Sequence, residues 1–145
     1  MRAMADHTIS VGAVADAALQ IELERGLTEH AREAGMAPFA KQPLTVAMRD
    51  DEGALIGGLV GESMWGWLFV KLLWVKKDQR GSGHGEALLA RAEREAALRG
   101  CHGVYLDTFD FQARVFYEKL GFHVFGKIDE YPRNHCRYYM AKRIS

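Results

Sequence analysis

The 145-residue chain has few cysteines and no surplus of either charge, and each scarcity excludes something. Two cysteines, Cys101 and Cys136, are too few for a disulfide-stapled scaffold. Each lies beside a histidine (His102, His135), but the short-spaced ligand pairs of a structural zinc site are missing. Two reduced thiols, and no metal, are the expectation. With 19 basic and 19 acidic residues there is no bulk field to collect nucleic acid or an anionic membrane. No nucleic-acid or membrane partner is expected, and any anion site must be local. No apolar run reaches the roughly 18 residues that suggest a membrane span, and the opening stretch lacks the apolar segment of a signal peptide. A cytoplasmic protein is the default. No repeat, low-complexity tract or polar linker interrupts the sequence, so a single domain over residues 1–145 is expected.

What is present is an ordinary globular composition, 48% hydrophobic and 26% charged. A chain of this length buries roughly 70% of its extended surface in one core. Residues 8–11 read as a short opening strand, and 13–34 carry an apolar stripe through Val14, Ala17, Ala18, Ile21 and Leu27 that predicts a helix. A break near Gly26 is left open. Three β-like runs follow, 44–49, 54–62 and 67–76, with a turn at 50–53 and a kink at 63–66. From Ser82 the period becomes helical, with Gly85, Leu88, Leu89, Ala92 and Ala96 on one face and Gly100 placed to end the helix. Residues 104–108 read as a strand. Ala113, Phe116, Tyr117 and Leu120 form a second helical stripe closed by Gly121. Strands at 122–127 and 137–143 end the chain. The order β-α-βββ-α-β-α-ββ predicts an α/β (α+β) fold: a mixed sheet with helices on both faces.

The strongest local signal lies between the third of those runs and the helix that follows. Arg80-Gly81-Ser82-Gly83-His84-Gly85 places three glycines at alternate positions in a strand-to-helix turn. Glycine admits positive φ and lets a ligand approach the main chain. Successive N–H groups then converge on an anion, with the positive end of the helix dipole behind them. The spacing suits a pyrophosphate. It departs from the G-x-G-x-x-G dinucleotide fingerprint, and it lacks the Gly-Lys-Ser/Thr ending of a nucleoside-triphosphate loop. A tight corner with no ligand stays open on the glycines alone.

Two segments make a resemblance specific. The turn matches the R/Q-x-x-G-x-G/A motif of the GNAT acetyltransferase superfamily. Ala113-Arg114-Val115-Phe116-Tyr117-Glu118-Lys119-Leu120-Gly121-Phe122 is similar to that superfamily's A-x-x-F-Y-E-K-x-G-F segment. The resemblance implies an acetyl-CoA-dependent N-acetyltransferase acting on a primary amine of a small molecule or peptide by direct attack on the thioester. A non-catalytic acyl-CoA-binding module on the same scaffold is the alternative. By resemblance the coenzyme A pyrophosphate would lie on Arg80, Gly81, Ser82, Gly83, His84, Gly85 and Glu86. The pantetheine arm would pair with main-chain groups of Leu73, Trp74 and Val75, and Asp110, Gln112, Phe116 and Lys119 would complete the cofactor contacts. A homodimer is plausible on the same ground.

Tyr117 occupies the place where the family carries a tyrosine that protonates the departing thiolate; packing beside Phe116 is its structural alternative. Asp110 stands where many members have an asparagine, and as a carboxylate it offers no amide donor, a role Gln112 would have to supply. Lys71 stands where an acidic residue is common, so the base is sought elsewhere. Glu62 is the first candidate, with Asp107 and His135 as runners-up. Trp65, Trp67, Phe69 and Trp74 belong either to the core or to an acceptor cleft. The 129–135 loop, with Asp129 and Glu130, suits a cationic amine or is simply solvated.

Overall fold

The structure, a computed structural model, describes residues 7–145. Contacts divide it into two units, one ending at Ala40 and the other running Lys41–Ser145. In the first, helix α1 covers Ala17–Glu33. It starts four residues later than the expected 13–34 because Asp16 caps it, its side chain accepting the Leu19 N–H at 3.0 Å. Gly26 does not interrupt it. Residues 8–11, expected as an opening strand, belong to no strand; Ile9 and Val11 are 93% and 97% exposed. A short β-prone run has no pairing partner here, and a strand without a neighbour is not stable.

The second unit contains β1 (Gln42–Arg49), β2 (Leu55–Met64), β3 (Trp67–Val75), α2 (His84–Leu98), β4 (Gly103–Phe109), α3 (Arg114–Lys119), β5 (His123–Asp129) and β6 (Cys136–Arg143). They form one six-stranded mixed sheet in the order β1-β2-β3-β4-β6-β5. Strands β1, β2 and β3 are an antiparallel meander. The expected kink between β2 and β3 is a two-residue hairpin turn, with Trp65 at φ 48 and Gly66 at φ 84. β3 and β4 are parallel, and a parallel pair needs a long crossover, which α2 supplies. The α2 residues Leu89, Ala92 and Ala96 share a core with Tyr117 of α3 and with Leu59, Leu68, Val70, Leu106 and Met140 of the sheet. These strand residues alternate with Trp67, Phe69 and Tyr105, so the rings stand on the opposite face, where Phe69 and Tyr105 stack at 4.8 Å.

The sheet is split at its centre. β3 and β4 pair only from Trp67–Gly103 to Val70–Leu106. At the same level the β2–β3 register shifts, since Val60 faces Leu72 and Gly61 faces Val70, which leaves Lys71 as an extra residue. Such a bulge bends and twists its strand, and beyond it β3 turns away from β4. Gly61 sits at that point because a Cβ there would lie 2.4 Å from the Phe69 carbonyl oxygen. The sequence contains both the small residue and the bulky strand; the bulge itself arises from their pairing.

Candidate functional site

The gap beyond Val70 and Leu106 is a hollow of about 680 Å³, with Leu73, Asp107, Gln112, Ala113, Tyr117 and Arg137 in its lining. A second hollow of about 450 Å³ lies over the glycine turn and shares Leu73, Trp74, Val75, Arg80, Ala113 and Tyr117 with it. Tyr117 therefore stands where the two meet.

The turn has the local chemistry of an anion site. Among the described residues the main-chain N–H groups of Gly81, Ser82, Gly83, His84, Gly85 and Glu86 donate to nothing; the first helical bond runs from Ala87 N–H to Gly83 O. These are the orphan donors of a helix N-terminus together with those of the turn before it. Gly81 and Gly83 have φ 81 and 83, and a Cβ on either would meet nothing within 4 Å. Backbone conformation, not space within the chain, requires glycine there. Gly85 differs: a Cβ would lie 3.3 Å from the Phe116 ring, so close packing of α2 on α3 sets that position. Arg80 Nε donates to Val75 O at 2.9 Å, which pins the guanidinium beside the turn.

The strand before the turn has free main-chain groups as well. Lys76 N–H donates to Ile56 O, so by the alternation of an antiparallel ladder Trp74 bonds to β2 while Leu73 and Val75 face the gap. Of the three residues expected to offer main-chain groups, Leu73 and Val75 turn them to the gap and Trp74 turns them to β2. The Val75 carbonyl already accepts from Arg80. The unpaired amides, the open strand edge and the cationic Arg80 fit an acyl-CoA in phosphate chemistry and in strand-like pairing of an amide-containing arm.

Tyr117 is 7% exposed and packs edge-to-face on Phe116 and Phe122. Its hydroxyl has no hydrogen-bond partner among the described residues, and no fully buried polar side-chain atom is left unpartnered, so the hydroxyl opens onto the hollows. Burial, and after it the charge of Asp107, push the phenol up to about 12. It holds its proton at any ordinary pH.

Other expected contacts fall apart from the site. Asp110 lines neither hollow. Its Oδ1 pairs with His135 Nδ1 at 2.9 Å and its Oδ2 accepts the Cys136 N–H at 3.2 Å, tying the end of β4 to the loop before β6. Burial raises its carboxyl, but the bonds from His135 and Cys136 outweigh burial and hold it below the usual carboxylate range. Gln112 Oε1 accepts the Phe109 N–H at 3.1 Å and the side chain lines the gap with its amide donors uncommitted. Phe116 lines the hollow over the glycine turn; Lys119 and Ser82 are exposed and line neither. Glu62, the first candidate base, is outside the gap and bridges Lys71 at 3.0 Å and Lys41 at 3.6 Å. His135 is turned to Asp110 and the edge of Phe111.

The sequence reading missed one arrangement. Arg137 pairs with Asp107, Nε at 2.9 Å and Nη2 at 2.6 Å from the same oxygen, while Nη1 donates to the Tyr131 hydroxyl at 2.7 Å. The guanidinium lies over the rings of Phe109, Tyr131 and Tyr139 at 5.3, 4.9 and 5.4 Å. The only signal for it in the sequence was an acidic residue at an alternate strand position, which says nothing about a partner in another strand.

A model of the acetyltransferase (GNAT) family matches residues 14–122, spanning the glycine turn, the gap strands and Tyr117. The chain belongs to the GNAT acetyltransferase family. It is 37% identical over 134 residues to an acetyltransferase of Agrobacterium fabrum, covering 90% of this chain and 95% of that one. It is 42% identical over 95 residues to the blasticidin-S acetyltransferase of Streptomyces morookaense, covering 65% and 70%. A crystal structure of an acetyltransferase from Bacillus cereus superposes with a TM-score of 0.79 at 25% identity, covering 96% of this chain and 98% of that one. Solved neighbours of the same fold hold acetyl coenzyme A or coenzyme A. This GNAT chain is thus an acetyl-CoA-dependent acetyltransferase. No helix among the described residues is long and apolar enough to cross a membrane.

Proposed function

We propose that this GNAT enzyme acetylates a primary amine on a small molecule, with its acyl donor's diphosphate on the amides of Gly81 to Glu86 and its pantetheine arm along the free edge of β3 at Leu73 and Val75. The observation that carries this reading is the junction of the two hollows at Tyr117: an uncommitted, still protonated hydroxyl at the point where an anion site and a strand gap converge. Acetyl-CoA, when bound, supplies an acetyl group already activated as a thioester. The chain's residues then have separate tasks. The turn amides and Arg80 balance phosphate charge. Main-chain groups of Leu73 and Val75 orient the arm, and an N–H of this strand polarises the carbonyl. Tyr117 delivers its proton to the sulfur as the carbon–sulfur bond breaks.

A small acceptor is supported by the relative from Streptomyces morookaense, whose name gives blasticidin S as what it acetylates, and by the cleft's modest size. The test is mass spectrometry of acetyl transfer to an amine panel that includes blasticidin S, streptothricin and short peptides. Mass gain on small amines with stoichiometric release of free thiol is expected. Transfer confined to peptides would replace the small-molecule reading, and acetyl-CoA binding with no transfer to any amine would remove it.

A further inference from the structure

The acceptor amine arrives as an ammonium ion at neutral pH and has to lose a proton before its lone pair can attack. Lys71 of β3 lines the gap as a cation, and Glu62, which does not line it, is held between Lys41 and Lys71. Asp110 spends both oxygens on His135 and Cys136. Among the described residues lining the gap, one carboxylate remains, Asp107.

Its placement follows from the split in the sheet. Leu106 is the last β4 residue paired with β3, and it points into the core. Asp107 is the next residue, so it faces the other side, among the aromatic residues and at the mouth of the gap. There its side chain is only 13% exposed. Oδ1 takes both Arg137 contacts, whereas Oδ2 has no hydrogen-bond partner among the described residues. No fully buried polar side-chain atom is left unpartnered, so Oδ2 opens on the cleft. Arg137 is itself fixed by the Tyr131 hydroxyl and by three ring faces. The result is a carboxylate clamped at one oxygen and presented at the other. It is near enough to Tyr117 for its charge to act on the phenol across the gap.

We propose that Asp107 is a catalytic residue for the acceptor: Oδ2 docks the primary ammonium and takes its proton, with Arg137 and Tyr131 as positioning residues. The assignment rests on the amine-transfer reading above. In the step, one N–H proton passes to Oδ2 and from there to bulk solvent through the open cleft. The freed lone pair forms the nitrogen–carbon bond, the carbon–sulfur bond breaks, and the sulfur takes the Tyr117 proton. The second N–H proton shed by the new amide nitrogen restores Tyr117. One proton is released overall, as required when an ammonium and a thioester become an amide and a thiol.

The test compares Asp107→Asn with the unaltered enzyme on two acceptors of matched shape, ethylamine, which is protonated at neutral pH, and trifluoroethylamine, which is largely uncharged. Asp107→Asn should lower kcat/KM for ethylamine by about 10²-fold or more, the usual size of a lost acid–base group, and should lower it much less for trifluoroethylamine, with the acetyl-CoA dissociation constant retained. An equal loss on both amines would make Asp107 a structural residue and overturn the proposal, as would no loss on ethylamine. Retained trifluoroethylamine transfer doubles as evidence of folding. Arg137→Lys should keep a part of the ethylamine rate that Arg137→Ala loses; identical rates for the two would remove Arg137 as a positioning residue. If the unaltered enzyme acetylates neither probe nor any member of the amine panel, the amine-transfer reading fails first, and the Asp107 assignment with it.

Discussion

Tyr117 combines two roles that the sequence presented as alternatives. It packs in the core between Phe116 and Phe122, and its hydroxyl nevertheless reaches the junction of the hollows. Packing fixes the ring, and a fixed ring presents the hydroxyl in one direction. Removing only the oxygen should therefore leave the fold intact: Tyr117→Phe is expected to keep its acetyl-CoA dissociation constant and lose turnover by about 10²-fold. Because burial and the charge of Asp107 raise the phenol to about 12, its deprotonation lies above the range near 10 where an exposed tyrosine titrates. The sign is clear. The acid form persists as pH rises, so Tyr117 should impose no alkaline fall in kcat near pH 10; a fall there that Tyr117→Phe abolishes would contradict the role. At this scale the sequence was informative where a motif was local. Tyr117 and the turn glycines could be named outright, whereas the pairing of Asp107 with Arg137 joins residues 30 positions apart through a β4–β6 register that no local pattern encodes.

Among elements, α2 and the meander were legible because their periods are strong. The apolar face of Leu88, Leu89, Ala92 and Ala96 is buried as expected, and the chain turns at glycine-bearing positions. The bulge at Lys71 was not legible, because it is a property of two strands in register and not of either alone. Residues 8–11, expected as an opening strand, belong to none, because a short β-prone run does not pair by itself. The element most tied to function is the turn that starts α2. Gly83 is its N-cap in the left-handed region, and it has free space around the missing Cβ. Gly83→Ala should therefore cost about 1–2 kcal/mol through backbone strain alone. It should also displace the amides, raising the acetyl-CoA dissociation constant by roughly tenfold for each 1.4 kcal/mol of lost binding. Gly100 at the other end of α2 is the matched control, since it too has positive φ (84) and open space. Gly100→Ala should lose similar stability with acetyl-CoA affinity unchanged. Equal affinities in the two variants, measured by calorimetry, would separate the turn from the diphosphate.

For the whole molecule, 19 basic and 19 acidic residues leave no long-range field, so a polyanionic acyl donor must be held by local groups. All the residues placed at the site, from Leu73 to Arg137, belong to the unit Lys41–Ser145. That unit has a sheet deliberately left open at its centre, with unpaired strand edge and unpaired turn amides facing the same space. Main-chain groups left without partners weaken the free protein, and a ligand that pairs with them should add stability by binding the folded state only. At 100 times its dissociation constant, coenzyme A should contribute about 2.7 kcal/mol, which for a chain of this size raises Tm by roughly 5–10 °C. NAD carries a diphosphate but has no pantetheine arm to lie along β3, so at equal concentration it should raise Tm far less. Thermal denaturation with the two compounds thus separates the strand gap from the turn: equal shifts would mean that phosphate binding at residues 81–86 is all the unit provides, and that the free edge of β3 takes no part.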